Sequence, residues 1–256
     1  MKRTTRWLGL TGALLALAVG CGPAETDDGS AQAIGLPTPN SPLVTIRLGV
    51  RVGSIDDPPS KNGLNALTAL MIGRGGTESM SYEAIAEAMY PWSASIGAQF
   101  DKEMTVIIGE VHRDHLGPFY EILRDLILSP RFDEADFTRN KEFLTNTVVA
   151  TLRGNDDEEL GKQALNVLLY DGHPYEAPVV GTELGLQSIT LDDVRMFHAT
   201  NYTGYNVLIG VAGGYPNRFV EQVERDLMEG LPAAGSQPAK LPVPGALDGI
   251  EVPLVD

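Results

Sequence analysis

Catalysis or ligation needs titratable, nucleophilic or metal-binding side chains held close together, and this chain offers few candidates. The densest is "EVHRDH", which supplies Glu110, His112 and His115. The two histidines lie at a strand end leading into a helix start, where their side chains need not converge on one ion. His173 stands in an "HPY" loop and His198 follows Phe197 on a short helix, so both read as histidines that make structural hydrogen bonds. Asp156, Asp157, Glu158 and Glu159 form an acidic run, explained by charge at a helix N-terminus, with divalent-ion binding as the remoter option. Glu83 and Glu87, one turn apart, read as a solvated face. There is no nucleophile elbow, no phosphate loop and no redox cysteine pair in the sequence.

One stretch has the opposite character. "GLNALTALMIGRGGT", residues 63–77, has the pattern of a helix running into a Gly-rich turn, yet it holds no His, Glu, Asp or Cys before Glu78. Around it the elements that must position any site are legible. "LVTIRLGVRVGS" alternates, with Val44, Ile46, Leu48, Val50 and Val52 on one face and Thr45, Arg47 and Arg51 on the other, so it is a strand with one buried face. Residues 63–72 and 81–90 read as helices. "SASIGAQF" and "EMTVIIGEV" read as paired strands around Asp101 and Lys102. Leu116, Phe119, Tyr120, Leu123 and Ile127 recur at helical spacing. A second long helix opens at Asp133 as N-cap and should run to about Leu152 on Phe137, Leu144, Val148 and Leu152. Another follows the acidic run. "ITLDDVRMFHATNY" is a short helix capped by Thr190 with Asp193 three residues on. "NVLIGVAG" is a buried strand and "NRFVEQVERDLMEGL" the last helix. The mixture, without a strict β-α-β rhythm, predicts an α+β fold: one mixed sheet with helices on one face.

The ends have other compositions. "MKRTTR" is basic, "WLGLTGALLALAV" is apolar but short for a membrane span, and "GC" follows, so residues 1–20 read as a secretory signal. Cys21, the only cysteine of the 256 residues, sits where the signal ends. "LAVGC" resembles a bacterial lipobox, with Ala18 where Leu is commoner, which would make Cys21 the lipidated first residue. The plain alternative is an ordinary signal with an incidental cysteine. The expected location is export, with the domain held at a membrane by the lipid alone, in the periplasm or at the cell surface. Residues 21–42 are small, polar and rich in Pro and Gly, the composition of a flexible tether. The domain proper is expected over 43–232. Residues 233–256 read as a linker and then "IEVPLVD", the expected first strand of a missing or truncated second domain. Removal of Lys2, Arg3 and Arg6 with the signal leaves 16 basic against 34 acidic residues, a charge of −18. That excess argues against nucleic acid and against electrostatic docking on anionic lipid.

The order of elements resembles one domain of the insulinase/pitrilysin family of zinc metallopeptidases over about residues 44–232. The resemblance is carried by "LGVRVGSIDDPPSKNGLNALTALMIGRGGT", "FDEADFTRNKEFL" and "GHPYEAPVVGTELGLQSITLDDVRMFHATNYTGYNVLIGVAG". Active members carry His-x-x-Glu-His on the first helix and a third ligand, Glu, on the long helix. Two histidines one turn apart aim at one metal, and the Glu activates its water. Laid on that motif, this chain has Ala66 at the first His, Ala69 at the catalytic Glu and Leu70 at the second His. Thr147 falls at the third ligand, with Asn146 beside it. The resemblance thus implies that neither the ligands nor the general base are present and that no zinc is held. Members close two such halves around a peptide, and some bacterial ones pair a zinc-bearing subunit with a degenerate one. The expectation is therefore a non-catalytic lipoprotein subunit that partners a zinc-bearing paralogue and meets an extended peptide. A binding scaffold without proteolytic role is the alternative, and an active endopeptidase with displaced ligands the third. Arg74 and Arg153 are not expected to replace the substrate-binding Arg and Tyr of such subunits.

Overall fold

The computed structural model describes residues 32–152, 154, 156–233, 235 and 241–245. The chain forms one five-stranded sheet from β1 (Gln32–Pro37), β2 (Leu43–Val50), β3 (Ser95–Phe100), β4 (Thr105–His112) and β5 (Val207–Gly213). The strand order is β1-β5-β2-β4-β3. Only the β1–β5 pair is parallel, so the sheet is mixed. The alternation in β2 settles which face is covered. Val44, Ile46, Leu48 and Val50 are 0 to 3% exposed, while Arg47 on the other face is exposed.

The helices are α1 (Leu64–Gly73), α2 (Tyr82–Met89), α3 (Leu116–Leu128), α4 (Glu134–Asn146), α5 (Asp157–Leu169), α6 (Glu183–Ser188), α7 (Leu191–Asn201) and α8 (Phe219–Gly230). Among them α1 and α3 pack on the buried face of the sheet, while α5 has no buried residue. The apolar stripe of α3 rests where β4 has no side chain: a Cβ on Gly109 would lie 2.8 Å from the Phe119 ring. The Tyr120 hydroxyl donates to Asp226 at 3.2 Å, tying α3 to α8. Thr190 accepts from the Asp193 N–H and Asp193 accepts from the Thr190 N–H, the reciprocal cap expected at the start of α7.

Two expectations need correction, and one element was not foreseen. The tether assigned to residues 21–42 is not uniform, because Gln32–Pro37 is β1, which pairs in parallel register with β5 along one side of its backbone. Residues 1–31, including Cys21, lie outside the described residues, as does most of 233–256. The long helix does not stay α-helical to Leu152. It ends at Asn146 and widens into a π turn over Thr147–Leu152. Thr145 and Thr147 each donate to the carbonyl four residues back, Lys141 and Phe143, and the β-branched run that follows crowds the preceding turn. Finally, α6, capped by Thr182, was not anticipated: six residues are too few to display a period.

Candidate functional site

The site is built around α1, and α1 is positioned from its N-terminus. Asp57 accepts the N–H of Gly63 and the N–H of Asn65, each at 2.7 Å, so one carboxylate holds two of the donors that a helix start leaves unpaired. Burial lifts that carboxyl to about 7, against the two N–H groups and helix start that pull it down. Gly63 precedes the helix at φ +106°, and a Cβ there would meet Leu186 of α6 at 2.8 Å. The far end of α1 passes over β3 so closely that a Cβ on Gly73 would lie 3.0 Å from the Ala98 nitrogen.

Every residue of α1 is buried, against β3, α4 and α7 among others. Ala66 and Ala69 have no exposed surface and Leu70 is 5% exposed. A catalytic zinc keeps one coordination position open to water or substrate. Here the three positions on α1 carry methyl and isobutyl groups without a lone pair. Thr147 begins the π turn, and its hydroxyl is spent on the Phe143 carbonyl at 2.9 Å; Asn146 is exposed. The residues present do not fit a zinc ion, and no chemical step can be routed through one at this helix.

The other candidates resolve into structural roles. His112 accepts the Asp114 N–H at 3.3 Å, and His115 stacks on Trp92 at 5.7 Å. The two imidazole rings are 6.4 Å apart, and Glu110 is exposed. Among the described residues no group of three or more His, Cys, Asp or Glu side chains is placed to hold a metal ion. His173 accepts the Tyr175 N–H and meets the Pro242 carbonyl through Nε2 at 3.0 Å. His198 donates from Nε2 to the Ile127 carbonyl at 3.1 Å and stacks on Tyr202; burial pushes its pKa down to about 4, so it is neutral. Asp156 caps α5 by accepting the Glu159 N–H, and Lys162 pairs with Glu158 at 2.8 Å. Glu87 is exposed; Glu83, also exposed, reaches Arg139 only at 4.0 Å.

Sequence reasoning passed over the groups that brace α1. Asp136 is 5% exposed, accepts the Gly76 N–H at 3.0 Å and pairs with Arg139 at 2.6 Å. Arg139 in turn donates to the Arg74 carbonyl, while the Arg74 guanidinium lies over the Phe143 ring at 4.5 Å. Arg74 is thus committed to packing, and Arg153 lies outside the described residues. Away from α1, sequence reasoning also missed Lys102, at the β3–β4 turn, which donates to the carbonyls of Tyr175 and Ala177, and Asn166 of α5, which donates to the Tyr175 carbonyl at 2.6 Å. The only sequence signals for these groups were an acid beside a helix start, "DDPP" and "DEAD", and a lone Lys in a hairpin turn.

The geometry is thus a mixed five-stranded sheet with a wholly buried first helix, α1. The profile of insulinase (peptidase family M16) matches residues 36–183, more than half of the chain, and the chain belongs to that family. It is 28% identical over 191 residues to the uncharacterized zinc protease YmxG of Bacillus subtilis, covering 73% of this chain and 46% of YmxG. It is 21% identical over 214 residues to a probable mitochondrial-processing peptidase subunit beta of Arabidopsis thaliana, covering 83% of this chain and 40% of that one. The chain therefore spans less than half the length of these relatives. Among solved structures, the peptidase M16 inactive domain from Pseudomonas fluorescens superposes with a TM-score of 0.77 at 24% identity, over 85% of this chain and 52% of the other. A protease from Helicobacter pylori gives 0.70 at 16% identity, over 82% and 54%.

Proposed function

We propose that this chain is a non-catalytic M16 subunit, the partner of a zinc-bearing paralogue in a two-chain peptidase. The observation that carries the reading is α1: its three motif positions are apolar and enclosed, while the fold around them is kept. The relatives support the setting. One is named as a zinc protease, another as the beta subunit of a processing peptidase, and a structural neighbour is described as an inactive domain.

In this reading the subunit contributes a wall of the peptide-binding chamber and an edge for an extended substrate. Among the described residues β3 is a sheet edge, paired with β4 alone, and it runs beside α1. A peptide adding to β3 would gain main-chain hydrogen bonds without any chemistry from this chain. The lipobox-like "LAVGC" supports an exported lipoprotein, with Cys21 carrying the lipid and no other contact with the membrane.

The test is reconstitution. A paralogue with intact His-x-x-Glu-His from the same source is purified alone, and peptide cleavage is measured with and without this chain. Activity that appears, or rises by at least tenfold, only in the mixture supports the proposal. Full activity of the paralogue alone, with no physical association between the two, overturns it and leaves a binding scaffold as the better reading.

A further inference from the structure

Every described helix buries at least one residue except α5, whose thirteen residues bury none. Leu165, Val167 and Leu169 are 47%, 42% and 39% exposed. Beneath the helix is a cleft of about 280 Å³, with Glu159, Gln163 and Asn166 on one wall and Lys102, Glu176 and Val179 on the other. Core packing therefore does little to hold α5 in place. What stabilises it is local: the Asp156 cap, the acidic first turn and the Glu158–Lys162 pair. A helix of this length is marginal in water on such terms alone, so one that detaches also unfolds.

The attachments of α5 lie at its two ends. Before it comes the π turn Thr147–Leu152, where the hydrogen-bond ladder widens and a helix bends most readily. After it comes the loop through Ala177, and there the Tyr175 carbonyl is the joint. It accepts from Asn166 of α5 at 2.6 Å and from the Lys102 ammonium at 2.8 Å, so both its lone pairs are used. Lys102 also donates to the Ala177 carbonyl, and the Tyr175 hydroxyl donates to Glu103. The β3–β4 turn thus grips the loop from below. The loop's one other outside hydrogen bond among the described residues joins His173 to the Pro242 carbonyl, on a segment whose Val243 is 92% exposed.

We propose that α5 and the loop through Ala177 form a flap, hinged at the π turn and latched by Lys102, which opens as one unit while the rest of the domain stays folded. Opening frees the Asp101–Lys102 turn, at which the edge strand β3 ends. The flap follows from packing and hydrogen bonds alone. It stands whether or not the chain partners a peptidase, and a negative reconstitution would leave it untouched.

Hydrogen exchange of the full-length protein in low urea, read by peptide mass spectrometry, tests this. The amides of α5 and of residues 171–177 should share one opening constant, at least about a hundredfold larger than those of α1 and α3, with α4 protected up to Asn146. Lys102→Met should raise that constant by about tenfold or more and leave α1 and α3 unchanged, whereas Lys102→Arg, which keeps the donors, should raise it far less. Gly161→Ala adds a Cβ that meets nothing within 4 Å and should slow opening about fivefold through helix propensity alone. Should Lys102→Met fail to fold, the unsubstituted chain and Gly161→Ala still decide. The flap is overturned if α5 is protected as strongly as α3, if exchange is graded from the helix ends with the loop independent, or if the opening unit runs back into α4. A Lys102→Met change that is absent, or equal in every helix, overturns the latch.

Discussion

Ala69 has no solvent-exposed surface, so the position that would hold a general base is sealed by its neighbours. Ala69→Glu should place an unpaired carboxylate in an apolar interior and cost on the order of 3 kcal/mol or more. Chemical denaturation should register that loss, and an unchanged midpoint would mean that α1 opens to solvent there. Two other residues set opposite pH dependences. His198 is held neutral with its pKa depressed to about 4, so the unfolded chain binds the extra proton. Its contribution is complete above the ordinary histidine range near 6.5 and is lost as pH falls towards 4. Asp57 is raised to about 7, so the folded carboxyl keeps a proton that the unfolded one releases, and stability falls as pH rises from about 4 to 7. Between pH 4.5 and 6.5 the two slopes oppose each other. Asp57→Asn should leave the His198 slope exposed, with stability rising more steeply with pH in urea melts across that window. A slope as shallow as that of the unsubstituted chain would contradict the assignment of either group.

At the scale of elements, local signals were readable where one residue type dominates a position. The Thr190–Asp193 box marked the start of α7, and Thr190→Ala should cost about 1 kcal/mol by removing the cap, measured as a lowered thermal midpoint. The apolar spacing of α3 and the alternation of β2 were legible for the same reason: each element buries one face. The π turn was not. Its cause is the carbonyl back-bonding of Thr145 and Thr147 together with the branched residues after them, which no apolar period records. Nor was β1 legible, because "QAIGLP" has the Gly and Pro content of a linker and becomes a strand only by pairing with β5. Close backbone approach was equally hidden. Gly181 has φ +88°, and a Cβ on it would sit 2.4 Å from the Asn62 carbonyl oxygen. Gly181→Ala should therefore loosen the contact between the segment before α1 and the loop before α6, destabilising the fold by more than about 1 kcal/mol.

At the scale of the whole molecule, the chain keeps the architecture of an M16 domain while its first helix is spent entirely on packing. The family was legible in the sequence because the order of elements, the Thr190 cap and the "HPYEAPVVGT" loop together resemble it, and the family profile matches residues 36–183. The bracing of α1 by Asp57, and of the turn after it by Asp136, was not, since each contact joins residues separated by a turn or by much of the chain. No described helix is long and apolar enough to cross a membrane. The measurement that bears most directly on the molecule's character is its zinc content. Full-length protein purified without chelator should contain far less than one zinc per chain by mass spectrometry of the metal, and zinc titration by calorimetry should give no stoichiometric site. One tightly held zinc per chain, lost on Thr147→Ala, would contradict the reading of α1 as a helix whose metal site has been filled in.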